Sequence, residues 1–240
     1  RERAVERMRA DFVANASHEL RTPLASLVGF IETLRGPAAD DPAAAQRFLG
    51  IMAEQARRME RLIADLLSLS RIELSEHQRP TEPVDLSGLA AQLAAEFEPR
   101  IRAQGAKLEL NLAPDLPVVP GDADQLAQVL QNLLDNALRY GRPDGCIRLS
   151  VQPAAPGKGW PLRPGLVLSV ADDGPGIPRE HIPRLTERFY RVDPGRSRAA
   201  GGTGLGLAIV KHIVSRHRGQ LRIESREGEG ATFSVWLPLQ

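Results

Sequence analysis

Apolar residues at Val13, Ala16, Leu20, Leu24, Leu27, Ile31 and Leu34 recur at spacings of three and four, the period of one face of a long amphipathic helix ending near residue 35. Gly36 and Pro37 stop it. Residues 36–42 read as a loop, and the helical pattern resumes from Ala43 through Phe48, Met52, Ala56, Met59, Ile63, Leu66 and Leu69. The pair predicts a helical hairpin over residues 1–79. Two helices cannot enclose both stripes, so a second copy is expected to complete a dimeric four-helix bundle. The alternative is that the hairpin packs on the rest of its own chain.

Pro80 and Pro83 mark a linker at residues 80–84, after which the rhythm changes. Asp85 is placed to cap a helix with the apolar face Leu89, Leu93, Phe97 and Ile101, ending at Gly105. Period-two runs at 107–112, 146–151, 166–170, 220–225 and 232–237 predict strands, and helices are expected at about 122–140 and 204–218. Antiparallel strands interleaved with helices predict an α/β sandwich over residues 85–240, one sheet covered by helices on one face. The fold class is therefore α + α/β.

Composition narrows the function. The 240 residues carry 31 Lys+Arg against 30 Asp+Glu, so no basic field favours nucleic acid or an anionic membrane. The lone cysteine, Cys146, cannot form an internal disulfide and reads as a small residue beside a strand. No apolar run approaches the ~20 residues that would cross a bilayer. The chain begins at Arg1 already in helical pattern, and reads as a soluble fragment of something longer.

Four groups of residues carry chemistry. The first is the run SHELRTPL at 17–24. At about 100° per residue His18 lies roughly 200° from both Ala16 and Leu20, so it points away from the seam into solvent. Glu19 is adjacent and Thr22 lies one turn on, over nearly the same face. Pro23 cannot donate to the Glu19 carbonyl, and a bend is expected there. A lone exposed histidine would be an inert surface residue. Here a ring nitrogen with a carboxylate beside it can act as a nucleophile.

The second is NLLDNALRY at 132–140, where Asn132, Asn136 and Arg139 form one polar stripe opposite the core face Leu126, Leu130, Leu133 and Ala137. Amide oxygens there suit a hard divalent cation already neutralised by phosphates, although a solvated helix face would look the same. The third is DDGPGIP at 172–178, ending an apolar strand. A carboxylate followed by glycines can accept a proton from a flat base while the backbone approaches closely, although Asp-Gly pairs also simply turn. The fourth is GGTGLGL at 201–207, which opens into a helical run and offers bare backbone amides to an anion. Neither a P-loop nor the protein-kinase glycine loop is present.

FVANASHELRTPL resembles the H-box of histidine kinases, and the longer run RMRADFVANASHELRTPL is most similar to their phosphate-regulon sensor branch. The other runs resemble, in order, the N-box, the G1 box, the F-box at 187–191, an ATP lid at 191–200 and the G2 box. The resemblance implies a Bergerat-type (GHKL) ATP-binding domain and a protein-histidine kinase that uses ATP and Mg²⁺. It implies that His18 accepts the γ-phosphoryl group and Glu19 assists. Glu19 and Thr22 would support phosphatase activity toward a partner response regulator. It further implies that Asn136 binds Mg²⁺, that Asn132, Arg139 and Arg191 approach phosphates, that Tyr140 contributes to ATP binding, and that Asp172 recognises the adenine amino group beside Gly174 and Gly176. Gly202, Thr203, Gly204, Leu205 and Gly206 would cradle the triphosphate. The expected setting is the cytoplasmic part of a bacterial sensor anchored in the inner membrane by upstream segments, homodimeric and without a nucleic-acid partner. An ATP-driven clamp of the gyrase or chaperone type would share the nucleotide site but not the H-box, and the Asn at 132 and Gln at 128 count against a hydrolytic base there. A non-catalytic scaffold that relays phosphate would have lost Asn136, Asp172 or the glycine loop.

Overall fold

The computed structural model describes residues 2–75, 78–155, 159–193, 195 and 201–240. Helices α1 (Glu2–Arg35) and α2 (Pro42–Leu74) form the expected hairpin. Asp41 caps α2 by accepting from the Ala44 amide at 2.9 Å, and Pro42 follows at the first helical position, where its missing N–H costs nothing. Phe30 stacks on Phe48 at 5.3 Å, and Arg58 bonds Glu19 at 3.3 Å lower down, which fixes the antiparallel register. Helix α1 continues through Pro23, whose ring is buried, and Thr22 Oγ1 donates to the His18 carbonyl at 3.3 Å.

The second unit opens with β1 (Glu82–Val84) and α3 (Leu86–Ala103). Asp85 caps α3 through the Gly88 amide at 3.0 Å. The buried face runs Leu86, Ala90, Leu93, Ala94, Phe97 and Ile101, with Leu89 only half-buried beside it. Strands β2 (Lys107–Leu112) and β3 (Val119–Gly121) follow, then α4 (Ala123–Tyr140) and strands β4 (Cys146–Pro153) and β5 (Gly165–Asp172). After a short 3-10 turn (Ile182–Arg184) come α5 (Gly206–Arg216), β6 (Gln220–Arg226) and β7 (Gly230–Pro238).

The main sheet has the order β2-β4-β5-β7-β6. It is mixed rather than purely antiparallel, because β2 pairs parallel with β4, from Lys107 against Cys146 to Leu112 against Val151, across the intervening helix α4. Alternate residues Ile147, Leu149 and Val151 of β4, Leu166, Leu168 and Val170 of β5, and Phe233 and Val235 of β7 are buried under the helices. The opposite face of the sheet carries Arg148, Ser150, Gln152 and Ser169. A second, two-stranded sheet pairs β1 with β3, so part of the expected linker is strand and is attached to the second unit.

His217, just past α5, is buried and ties two helices together. Its Nε2 accepts from the Asp122 amide at 3.0 Å, so Nδ1 carries the proton and donates to the Ile213 carbonyl at 2.8 Å. Burial pushes its pKa down, against the opposing pull of the Ile213 carbonyl. The N-terminus of α4, capped by Asp122, is thereby fastened to the C-terminus of α5.

The lower hairpin packs on this unit: Leu62, Leu69 and Ile72 of α2 belong to the same buried cluster as α3, α4 and α5. Higher up, Leu24, Val28, Ile31, Leu49 and Ile51 remain exposed, as does Ile63 beside the docked Leu62. Thus the chain itself covers one end of the apolar stripe and leaves the rest open. Among the described residues no helix is long and apolar enough to cross a membrane.

Candidate functional site

Between α4, the end of β5, the loop before α5 and the flank of α2 lies a cavity of about 400 Å³. From α4 it is lined by Asn132, Asn136, Arg139 and Tyr140, together with Gln128 and Asp135. Asn132, Arg139, Gln128 and Asp135 share the side of α4 away from Leu126, Leu130, Leu133 and Ala137, which are buried, while Asn136 and Tyr140 flank that core face. A helix with this division turns its amides and guanidinium toward whatever fills the cavity.

Asp172 lies at the last position of β5 and also lines the cavity. Its Oδ1 accepts from the Gly174 amide at 2.8 Å. Burial pushes the carboxyl pKa up, opposed by the amides of Gly174 and Ala231. Gly174 itself is not on the cavity wall. Its place is explained by crowding, since a Cβ there would sit 2.7 Å from Asp172 Oδ1 and 3.2 Å from the Gly141 Cα. Gly176 does line the cavity, at φ +75°, a conformation that side chains with a Cβ rarely adopt.

Gly201, Gly202, Thr203, Gly204 and Gly206 line the opposite wall. Gly204 has φ +76°, so the helix cannot begin there, and α5 starts at Gly206 instead of the expected 204. A Cβ on Gly204 would also lie 2.9 Å from the Phe189 Cα. Leu205 does not line the cavity. Its side chain is buried in the core, while its carbonyl accepts the first helical bond from the Ile209 amide at 2.9 Å. Asn132 Nδ2 donates to the Gly206 carbonyl at 3.3 Å, which joins α4 to this loop.

Arg191 is nearly enclosed, and its partners differ from a free approach to phosphate. Its guanidinium bonds Glu19 through Nη1 at 3.3 Å and Nη2 at 2.9 Å, and Nη2 also donates to the carbonyls of Gly202 (3.1 Å) and Thr203 (3.0 Å). The acidic residue beside His18 is thus connected directly to the glycine loop. His18 is exposed and Glu19 half-buried, as the helical phase requires. Of the lid expected at 191–200, Pro194 and residues 196–200 lie outside the described residues.

Sequence reasoning did not single out the wall contributed by α2. Arg61, Ala64 and Asp65 line the cavity, and Thr203 Oγ1 donates to Asp65 Oδ2 at 2.6 Å. Burial pushes the Asp65 carboxyl up, opposed by that hydrogen bond and by Arg139 and Arg61. These residues sit within a regular helical stripe and carry no local signal. The floor residues Ile177, Leu185 and Phe233 were likewise indistinguishable from core.

Among the described residues no group of three or more His, Cys, Asp or Glu side chains could hold a metal unaided. The donor set on this wall, amide oxygens of Asn136 and Asn132 near Asp135, suits a cation such as Mg²⁺ that takes few protein ligands and keeps phosphates and water for the rest.

Two family descriptions match the chain: the His Kinase A (phospho-acceptor) domain over residues 8–75, and the histidine kinase-, DNA gyrase B-, and HSP90-like ATPase over residues 121–240. The phosphate regulon sensor protein PhoR of Pseudomonas aeruginosa is 41% identical over 230 residues, covering 96% of this chain and 50% of the relative. The chain therefore spans about half the length of that relative. Among solved structures, the Acinetobacter baumannii histidine kinase AdeS superposes with a TM-score of 0.69 at 26% identity, covering 93% of this chain and 98% of that one. Full-length ShkA in complex with AMPPNP superposes with a TM-score of 0.65 at 28% identity, covering 95% of this chain and 45% of that one. A hairpin bearing the phospho-acceptor match, joined to a mixed-sheet ATPase fold, places this chain in the sensor histidine kinase family.

Proposed function

We propose that this chain is the catalytic core of a sensor histidine kinase that moves the γ-phosphoryl group of ATP onto its own His18 and then to an aspartate of a response regulator. The observation that carries this reading is Arg191, which holds Glu19 of the H-box in one hand and the Gly202 and Thr203 carbonyls of the glycine loop in the other. No comparable link would be needed if the cavity served a purpose unrelated to the histidine. The relative ShkA was solved with AMPPNP, an ATP analogue, which supports a nucleotide in the equivalent cavity here.

In this reading Asp172 accepts a hydrogen bond from the adenine amino group, the Gly174 amide holds that carboxylate in place, and the close backbone at Gly176 admits the flat base. Asn132, Arg139, Tyr140 and the glycine loop through Gly206 receive the triphosphate, and Leu205 anchors that loop to the core. Asn136 holds Mg²⁺, which when bound neutralises phosphate charge. A His18 ring nitrogen attacks the γ-phosphorus in line, the bond to the β,γ-bridging oxygen breaks, and ADP leaves. Glu19 takes or orients the proton of the other nitrogen, and Arg191 stabilises charge on the transferring group. Thr22, one turn beyond His18, suits the reverse task of placing a water for dephosphorylation of the regulator.

The exposed apolar residues of the upper hairpin support a homodimer that completes a four-helix bundle. We assign residues 1–79 to dimerisation and phosphotransfer, 80–84 to the connection and 85–240 to nucleotide binding. We place the chain on the cytoplasmic side of a sensor whose upstream segments anchor it in the bacterial inner membrane. Incubation with γ-labelled ATP and Mg²⁺ should yield an acid-labile, base-stable phosphoprotein. A His18→Gln protein that labels as well as the parent would end this reading.

A further inference from the structure

The glycine-rich run after β5 is fastened to the turn between β6 and β7. The Gly228 amide donates to the Pro175 carbonyl at 2.7 Å, and the Ile177 amide donates to Ser225 Oγ at 2.9 Å. Between these two ties Gly176, at φ +75°, lies so close to the turn that a Cβ would run into the Arg226 carbonyl. Ser225 Oγ in turn donates to the Gly230 carbonyl at 2.6 Å. Gly230 precedes Ala231, which pairs with Asp172 across β5 and β7 and whose amide steadies the Asp172 carboxylate. Asp172, Gly176, Ile177 and Ala231 line the cavity, whereas Ser225 does not.

We propose that Ser225 is a positioning residue for the base: by joining the Ile177 amide to the Gly230 carbonyl, its hydroxyl holds the wall at Gly176 and Ile177 at a fixed distance from Asp172. A hydroxyl whose proton is committed to one carbonyl and whose lone pair is committed to one amide has no freedom to turn. The loop at 173–178 lies outside the strands, so its backbone donors must be satisfied by neighbours, and Ser225 is the acceptor for Ile177. Without that hydroxyl the amide loses its acceptor, and the wall can spread from Asp172. A flat base is held by contacts on its face and a hydrogen bond at its edge together, and a gap of about 0.5–1 Å forfeits about a quarter to a half of each dispersion contact. The glycine loop at 201–206, where a triphosphate would lie, is on the opposite wall and has no tie to Ser225 among the hydrogen bonds of that hydroxyl.

The inference rests on the nucleotide reading of the cavity, and one experiment separates the two. The whole chain is titrated calorimetrically, with Mg²⁺, against ATP, adenosine and inorganic tripolyphosphate, in the parent, in Ser225→Ala and in Ser225→Thr. Ser225→Ala should weaken ATP and adenosine alike by about five- to tenfold, the weight of one lost hydrogen bond, and leave tripolyphosphate unchanged. Ser225→Thr keeps the hydroxyl on a side chain suited to a strand, and should bind all three ligands as the parent does. At saturating ATP the rate of His18 labelling should be the same in the parent and in Ser225→Ala, because only binding of the base is touched. Adenosine binding at parental strength in Ser225→Ala, an equal loss for tripolyphosphate, a slower saturated rate, or a Thr variant as weak as the Ala variant overturns the role of Ser225. A parent that binds neither ATP nor adenosine overturns the nucleotide reading itself, and this inference with it.

Discussion

Arg191 Nη2 lies 2.9 Å from Glu19 Oε2, joining two residues 172 positions apart in the chain. Its other hydrogen bonds, to the Gly202 and Thr203 carbonyls, make this guanidinium one of the points where the hairpin and the nucleotide-binding unit meet. Removing it should affect transfer more than binding. In Arg191→Ala the rate of His18 labelling should fall by about 10²–10³, the usual loss when one preorganised donor to a developing charge is deleted. ATP affinity should change by less than about tenfold, since adenine and most phosphate contacts remain. Rapid-quench labelling beside calorimetric titration would check both numbers.

Asp172 presents a carboxylate, an acceptor only, from the end of β5. Asp172→Asn keeps the shape but places an N–H₂ where an acceptor is needed, or returns its oxygen only if the Gly174 amide loses its partner. A hydrogen bond to a charged group is worth about 1.5–3 kcal/mol, so ATP should bind about 10- to 150-fold more weakly. Circular dichroism should be unchanged. If the variant bound ATP at parental strength, adenine recognition would have to lie elsewhere.

His217 predicts an acid-sensitive fold. Its folded pKa is lowered because burial favours the neutral ring. The stability it contributes is therefore present above its ordinary value of about 6.5 and is lost as pH falls below that, through the folded value. Protonation removes the acceptor for the Asp122 amide, and the start of α4 loosens from α5. Thermal melts should show falling stability from pH 7.5 to 5.5. His217→Leu should cost about 1–3 kcal/mol at pH 7.5 by leaving the Asp122 amide without its partner, and should show a shallower acid slope. An identical slope in the variant would remove His217 from the account.

What could be read in the chain before its fold was known follows from the range of each signal. Helix caps are local, so Asp85 could be recognised directly, whereas the caps Asp41 and Asp122 were not singled out. The outward phase of His18 follows from helical geometry alone. The short strands β1 and β3 escaped notice because each has three residues and the pair sets Pro83 against Pro120, a poor strand signature. Parallel pairing of β2 with β4 was invisible because both strands have the same alternation whichever way they run. Leu110 shows the limit of pattern: it keeps the period of Leu108 and Leu112, yet lies on the edge strand of the sheet and stays 44% exposed. The largest gap was Asp65. A polar residue between Leu62 and Leu69 reads as solvated surface, and only the tertiary arrangement turns it toward Thr203.

The antiparallel hairpin also acts as a ruler. Arg58 marks the level of Glu19 on α2, and Glu73 marks the level where Arg188 anchors the second unit. The span between them fixes how far along the rod the docked second unit rests from the level of His18. Each residue added to that stretch would slide the docked unit by about 1.5 Å and swing it by about 100°, so its resting place is set by the length of one helix segment.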